Sequence, residues 1–258
     1  MVTAVLLHGL AGASSEWQAV TDLLGGAGTG GAGTGGAVTV IAPDARGHGL
    51  RPETGGDVSR EAHVADAVAI LREAGPSILV GQSLGGLTAL RVAAEHPELV
   101  TGLLLIEAGP ERVDPATPGT IAGWLDSWPV PFPSAEAAAA FFGGGPAGEG
   151  WAATLAATPD GLRPRFDRDT IVATIKAATL QPSWPAWKAI TCPAAVLLGA
   201  QGFLGEEEQA EMRRLRPDIP LTTVPGVGHD VHLEAPEQVA AQILALAQGN
   251  SAAMAREL

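Results

Sequence analysis

Tyrosine is absent from this 258-residue chain, cysteine occurs once, and lysine plus arginine number 15 against 28 aspartates and glutamates. Each shortage closes off a class of protein. The lone Cys192 cannot form an internal disulfide. No charged start followed by a signal-type apolar segment precedes the first apolar run, so a reducing, cytoplasmic setting is expected. A net charge of −13 argues against nucleic acid or an anionic membrane surface as a partner. No apolar run approaches the ~20 residues that span a bilayer. No cluster of residues has metal-ligand spacing, and neither a metal nor another cofactor is expected. Cys192, just before Pro193 and an apolar run, reads as a packing residue.

What is present is a regular alternation. Short apolar runs lie at 2–9, 37–44, 77–83, 101–109, 194–200 and 221–229, and several are apolar at consecutive positions. Strands covered on both faces have that signature. Helical patterns fall between them at 14–24, 57–74, 84–95, 206–215 and 236–248, with Asp57 and Ser59 as possible caps and Gly75-Pro76 as a stop. The expected fold class is therefore α/β, a doubly wound and mostly parallel sheet.

Two segments interrupt the alternation. The tandem GGAGT repeat at 25–36 has no GK[ST] and does not lead from a strand into a helix, so it reads as a surface loop rather than a phosphate cradle. Residues 110–190 separate the fourth and fifth strands and hold Trp124, Trp128, Trp151, Trp184, Trp187, Phe132, Phe141, Phe142 and Phe166. So much aromatic surface must be buried, either on itself as a satellite core or over a cavity. The expected organisation is a core of 1–109 and 191–258 with a lid inserted at 110–190. Trp124, Trp128, Phe132, Phe141, Trp151, Trp184 and Trp187 are its candidate pocket residues.

The sharpest local signal is Gly81-Gln82-Ser83-Leu84-Gly85, at the end of an apolar strand and the start of a helix. A strand-to-helix turn this tight crowds backbone on backbone, which requires small flanking residues, and it lifts the serine hydroxyl clear of the sheet. His8-Gly9-Leu10 ends the first strand, Pro43 to Gly49 reads PDARGHG, and Gly226 to Asp230 reads GVGHD ahead of Ala235-Pro236-Glu237. In this order the four motifs resemble those of the α/β-hydrolase superfamily, in a compact form without the N-terminal hairpin. The resemblance covers nearly the whole chain outside 110–190. It implies Ser83 as nucleophile, His229 as general base and the backbone N–H groups of Leu10 and Leu84 as oxyanion hole. His232 is the alternative base. His8 and His48 read as turn-stabilising, His63 and His96 as helix-surface residues, and Asp44 and Arg46 as structural.

The family's usual acid position, after the strand at 194–200, holds Gln201 and Gly202. Three substitutes are open. Glu107 ends the fourth run, beside the strand that carries Ser83, and some superfamily members place their acid after this strand. A glutamate there is costly unless paired. Glu206 opens a helix, where an acid also suits the macrodipole. Asp230 adjoins His229, but neighbouring side chains diverge. Phe203 and Leu204 are expected to face the site or the lid.

A serine nucleophile implies acyl transfer to water rather than the dehalogenase or epoxide-hydrolase chemistry of the aspartate branches. The aromatic insertion, the missing tyrosine and the few cations suggest a small-molecule substrate, a bulky and largely apolar ester or lactone. Compact relatives also include lyases using the same Ser–His pair, and those acting on multi-carboxylate substrates want cationic lid residues. Arg112, Arg163, Arg165 and Arg168 are instead scattered among aromatics. A ligand receptor on a retained hydrolase scaffold is the reading from another class.

Overall fold

The computed structural model describes residues 2–25, 38–52, 54–111 and 114–249. The GGAGT repeat beyond Gly25, and Arg112, lie outside the described residues. The strands are β1 (Val2–Leu7), β2 (Val38–Ile41), β3 (Ser77–Gln82), β4 (Val100–Ile106), β5 (Ala156–Thr158), β6 (Gly161–Arg163), β7 (Ala194–Gly199) and β8 (Leu221–Val224). Six of them form one sheet in the order β2-β1-β3-β4-β7-β8, every pairing parallel. β5 and β6 make a separate antiparallel hairpin.

The consecutive apolar residues have the explanation the sequence suggested. In β4, Leu104 and Ile106 face one layer of helices while Leu103 and Leu105 face the other. On the first side lie a 3-10 turn (Ser14–Trp17), α1 (Gln18–Leu23) and, from the far end of the chain, a later helix carrying Val239, Ile243 and Leu246. On the second lie α2 (Arg60–Ala74) and α3 (Leu84–Glu95). Each fully buried leucine in such a layer contributes ~1.5–3 kcal/mol. Ser59 caps α2 by accepting the Ala62 N–H at 3.2 Å, and Gly75 ends it at φ 78°.

The insertion supplies α4 (Thr117–Asp126), α5 (Ala135–Phe141), α6 (Gly145–Ala153), the β5–β6 hairpin and α7 (Arg168–Ala178). α8 (Trp184–Ala189), α9 (Glu206–Leu215), α10 (Val231–Glu234) and α11 (Pro236–Ala247) complete the chain. The aromatic residues of the insertion divide three ways. Trp128 and Phe132 are buried in a satellite core with Leu125, Ala138, Leu155 and Ile171. Trp124, Phe141, Phe142 and Trp151 line a cavity. Trp184 and Trp187 depart from the expectation: α8 packs into the main core beside α3, and neither residue lines that cavity. Trp187 is fully buried there, its indole N–H donating to Met212 O at 3.2 Å. No helix among the described residues is long and apolar enough to cross a membrane.

Candidate active site

Ser83 follows β3 directly and has φ 50° and ψ −113°, a region that a residue with a Cβ occupies at a cost of ~1–3 kcal/mol. The surroundings enforce it. A Cβ on Gly81 would fall 2.3 Å from Gly85 O, and one on Gly85 would fall 2.2 Å from Leu7 O. Only glycine permits that approach, so the small residues of GQSLG are a packing requirement. The Ser83 N–H donates to Ile106 O at 2.9 Å, which ties the turn to the end of β4.

Glu107 is the residue after Ile106. It too has positive φ, 47°, and it is 3% exposed. Its Oε1 accepts the Gly199 N–H at 2.8 Å and its Oε2 the Phe203 N–H at 2.7 Å. Oε2 also lies 3.3 Å from His229 Nδ1. The carboxylate therefore occupies the space beside the loop after β7, and Gly202 makes room for it. A Cβ at 202 would fall 2.1 Å from Oε1. Glu206, by contrast, is exposed in the first turn of α9, clear of His229 and of the cavity. Asp230 turns away from the imidazole to accept the Trp151 indole N–H at 2.8 Å. Of the three acids open in the sequence, Glu107 alone meets the histidine.

The imidazole of His229 is held on other sides as well. Phe203 stacks on it, ring centroids 4.3 Å apart, and Gln82 Nε2 donates to its carbonyl at 3.3 Å. Ser83 and His229 line one cavity, and no hydrogen bond joins their side chains. The contact remains for a bound substrate to tighten. Leu10 and Leu84 line the same cavity, and neither backbone N–H donates to a described residue. Both are thus open to an oxyanion.

The turns that carry these groups are pinned by polar side chains. His8 Nε2 accepts the Ala45 N–H at 2.9 Å, so Nδ1 carries the proton donated to Gly9 O at 2.7 Å. Asp44 accepts the N–H groups of Ser14 and Leu50, each at 2.7 Å. Burial alone would raise the Asp44 pKa, but these bonds outweigh it and hold the carboxyl below its ordinary range. Arg46 makes two bonds to Asp66, at 2.9 and 2.7 Å. His8, Asp44 and Arg46 have the structural places expected of them.

The cavity measures about 630 Å³. Gly9 and Leu10, the ends of β3 and β4, and the loop residues Phe203 and Leu204 form one side of it. Thr117, Thr120, Ile121 and Trp124 of α4, Phe141 and Phe142, Trp151 of α6 and Ile175 of α7 form the other. No lysine or arginine among the described residues lines it. A family model described as "Alpha/beta hydrolase family" matches residues 4–242.

The chain belongs to the α/β-hydrolase family. Its relatives include hydrolases, lipases and an esterase. The 2-(acetamidomethylene)succinate hydrolase of Mesorhizobium japonicum is 30% identical over 210 residues, spanning 77% of this chain and 74% of the relative. An sn-1-specific diacylglycerol lipase of Mus musculus is 26% identical over 246 residues, 90% of this chain and 76% of the lipase. The crystal structure of E-2-(acetamidomethylene)succinate hydrolase superposes with a TM-score of 0.83 at 24% identity, covering 96% of this chain and 91% of that one. At that identity the likeness establishes the fold. A thermophilic esterase from Thermogutta terrifontis superposes at 0.73 and 22% identity, over 97% and 91% of the two chains.

Within this α/β hydrolase, some polar residues lie elsewhere than the sequence suggested. His63 is buried rather than on a helix surface, because α2 turns that face onto the His8 and His48 turns. Burial, followed by the Arg46 charge, lowers its pKa to about 4; burial with His8 nearby lowers that of His48 to about 3. His232, the alternative base, is buried against Trp17 and does not line the cavity. Cys192 packs at the edge of the core, where burial pushes its thiol up to about 11. Among the cavity residues, Glu16 and Asp230 were not anticipated as lining. Glu16 precedes the buried Trp17 in the 3-10 turn that opens the 14–24 helical pattern, and nothing in that pattern marks which way it points.

Proposed function

We propose that this α/β hydrolase cleaves a carboxylic ester or lactone through an acyl-enzyme on Ser83, with residues 110–190 acting as its lid. One observation carries the reading: Glu107 reaches His229 inside the cavity that holds Ser83 at the strained elbow. Glu107 holds the proton on Nδ1 of His229, which leaves Nε2 as the basic nitrogen. Nε2 takes the Ser83 Oγ proton as Oγ attacks the substrate carbonyl, and the Leu10 and Leu84 N–H groups receive the oxyanion. Collapse of the tetrahedral intermediate breaks the acyl–oxygen bond, and His229 passes its proton to the departing alkoxide. Water, deprotonated by the same nitrogen, then attacks the ester on Ser83, and His229 returns that proton to Ser83 Oγ as the acid leaves.

The size and aromatic lining of the cavity suit a bulky, largely apolar acyl or alcohol group. Lyase chemistry on a multi-carboxylate substrate is the weaker reading. Arg163 is engaged by Asp160 and Arg168 by Asp126 and Asp169, and neither they nor Arg165 line the cavity. The test is hydrolysis of p-nitrophenyl esters together with labelling by a fluorophosphonate. Ser83→Ala is expected to abolish both; activity persisting in that variant refutes the reading.

A further inference from the structure

Among the described residues four carboxylates line the cavity, and three of them are occupied. Glu107 is held as described, Asp230 accepts the Trp151 indole, and Glu208 accepts the Glu111 N–H at 2.8 Å. The fourth is Glu16. It is 3% exposed, yet neither of its carboxylate oxygens accepts a hydrogen bond from a described residue. Its one ionisable neighbour among the described residues is His232, whose Nε2 stands 3.5 Å from Oε2 without a hydrogen bond. The carboxylate lies flat against the oxyanion loop: a Cβ on Gly12 would fall 2.5 Å from Oε2 and 2.6 Å from Oε1. A carboxylate taken this far out of water without donors is costly, so its placement points toward a donor that arrives with the ligand.

We propose that Glu16 is a specificity-determining residue and that the substrate of the Ser83 site carries a cationic, hydrogen-bond-donating group, such as an ammonium, which docks on it. This rests on the acyl-transfer reading for the position of the reacting carbonyl, and not for the binding of the cation. Among the described residues no lysine or arginine lines the cavity, so an anionic substrate meets like charge at Glu16. A succinate, as in the name of the Mesorhizobium relative, would bring carboxylates to the wall that holds Glu16. The aromatic residues opposite suit the apolar stem between the ammonium and the ester.

Three chain-matched esters separate the possibilities: p-nitrophenyl 6-aminohexanoate, p-nitrophenyl heptanoate and mono-p-nitrophenyl pimelate. In Glu16→Gln, which keeps the side-chain volume, kcat/KM for the aminohexanoate is expected to fall about 10–100-fold, the worth of a charge-assisted hydrogen bond. The heptanoate is expected to change less than about threefold and the pimelate to improve, as like-charge repulsion is relieved. An equal change in all three esters would show a structural role for Glu16 and overturn the proposal. Binding of hexylammonium and of hexanoate, followed by the fluorescence of the cavity tryptophans, needs no turnover. The wild-type protein is expected to bind hexylammonium more tightly, and Glu16→Gln to lose that preference. If no ester is hydrolysed but this preference appears, the hydrolase reading falls and the Glu16 site stands. If wild type binds hexanoate as tightly as hexylammonium, the Glu16 site falls, whether or not the variant folds.

Discussion

Replacing Glu107 with glutamine changes one oxygen to an amide nitrogen and removes a charge, and the geometry leaves no good way to seat the result. With the amide oxygen in the place of Oε2, Phe203 and His229 keep their acceptor, but the NH2 group faces the Gly199 N–H, donor against donor. With the amide reversed, the NH2 group faces the Phe203 N–H and forces His229 to present Nδ1 as an acceptor. The proton then sits on Nε2, and the lone pair that should take the serine proton is gone. Either way about one charge-assisted hydrogen bond is lost, ~1.5–3 kcal/mol. For a chain of this size each kcal/mol is ~2–4 °C in Tm, so the melting point is expected to fall by about 3–12 °C. The effect on turnover is larger, because the tautomer matters only in the reaction. A drop in kcat of about 10³–10⁴-fold with KM changed only a few-fold follows from the triad logic. Steady-state hydrolysis of a p-nitrophenyl ester, with Glu206→Gln in parallel, measures it. A Glu107→Gln enzyme that melts lower but retains kcat within about tenfold of wild type would refute the reasoning, leaving Glu107 a tie for the loop after β7.

Two further expectations follow from other parts of the fold. His63 and His48 have folded-state pKa values depressed to about 4 and about 3, below the unfolded value, so the fold favours their neutral rings. Their contribution is complete above about pH 6.5 and is lost as pH falls from there toward those values, at up to ~1.4 kcal/mol per pH unit for each ring. Urea unfolding at about pH 7 and pH 4.5 should therefore show a difference that shrinks by about 2–3 kcal/mol in His63→Gln, and an unchanged difference would count against it. Trp187→Ala is expected to cost about 3–5 kcal/mol with little effect on kcat/KM per folded molecule, as for a buried core ring. Trp124→Ala should do the reverse, raising KM for an apolar ester with a small loss of stability. Thermal melts and kinetics on both variants check the division of the aromatic residues.

The sheet and the elbow were legible because they depend on patterns local in sequence. Consecutive apolar residues announce a strand covered twice, and GQSLG between a strand and a helix announces a turn that only small residues permit. The pairing of Glu107 with His229 was legible by a different route, since the loop after β7 lacked an acid and Glu107 ended the strand beside Ser83. The sorting of the aromatic residues was not legible. Trp124 sits on α4 and Trp128 just past its end, and both pack on the satellite core, yet only Trp124 also lines the cavity. Which side of a short, weakly amphipathic helix faces a void is set by its tertiary partners, not by its own periodicity. His63 was misplaced for the same reason, and Glu16 carries no sequence signal of the cavity it enters.

Gly202 has a consequence for how such a site can change over mutational time. The direction a side chain would take from residue 202 leads into the volume that the Glu107 carboxylate fills. The histidine can thus receive its acid from the fourth strand or from the seventh, but the two origins are mutually exclusive. A chain that gained aspartate at 202 first would have two carboxylates contending for one volume, and a chain that lost Glu107 first would have none. The two arrangements are neighbours in space and distant in sequence, separated by a double substitution with an impaired intermediate on either side.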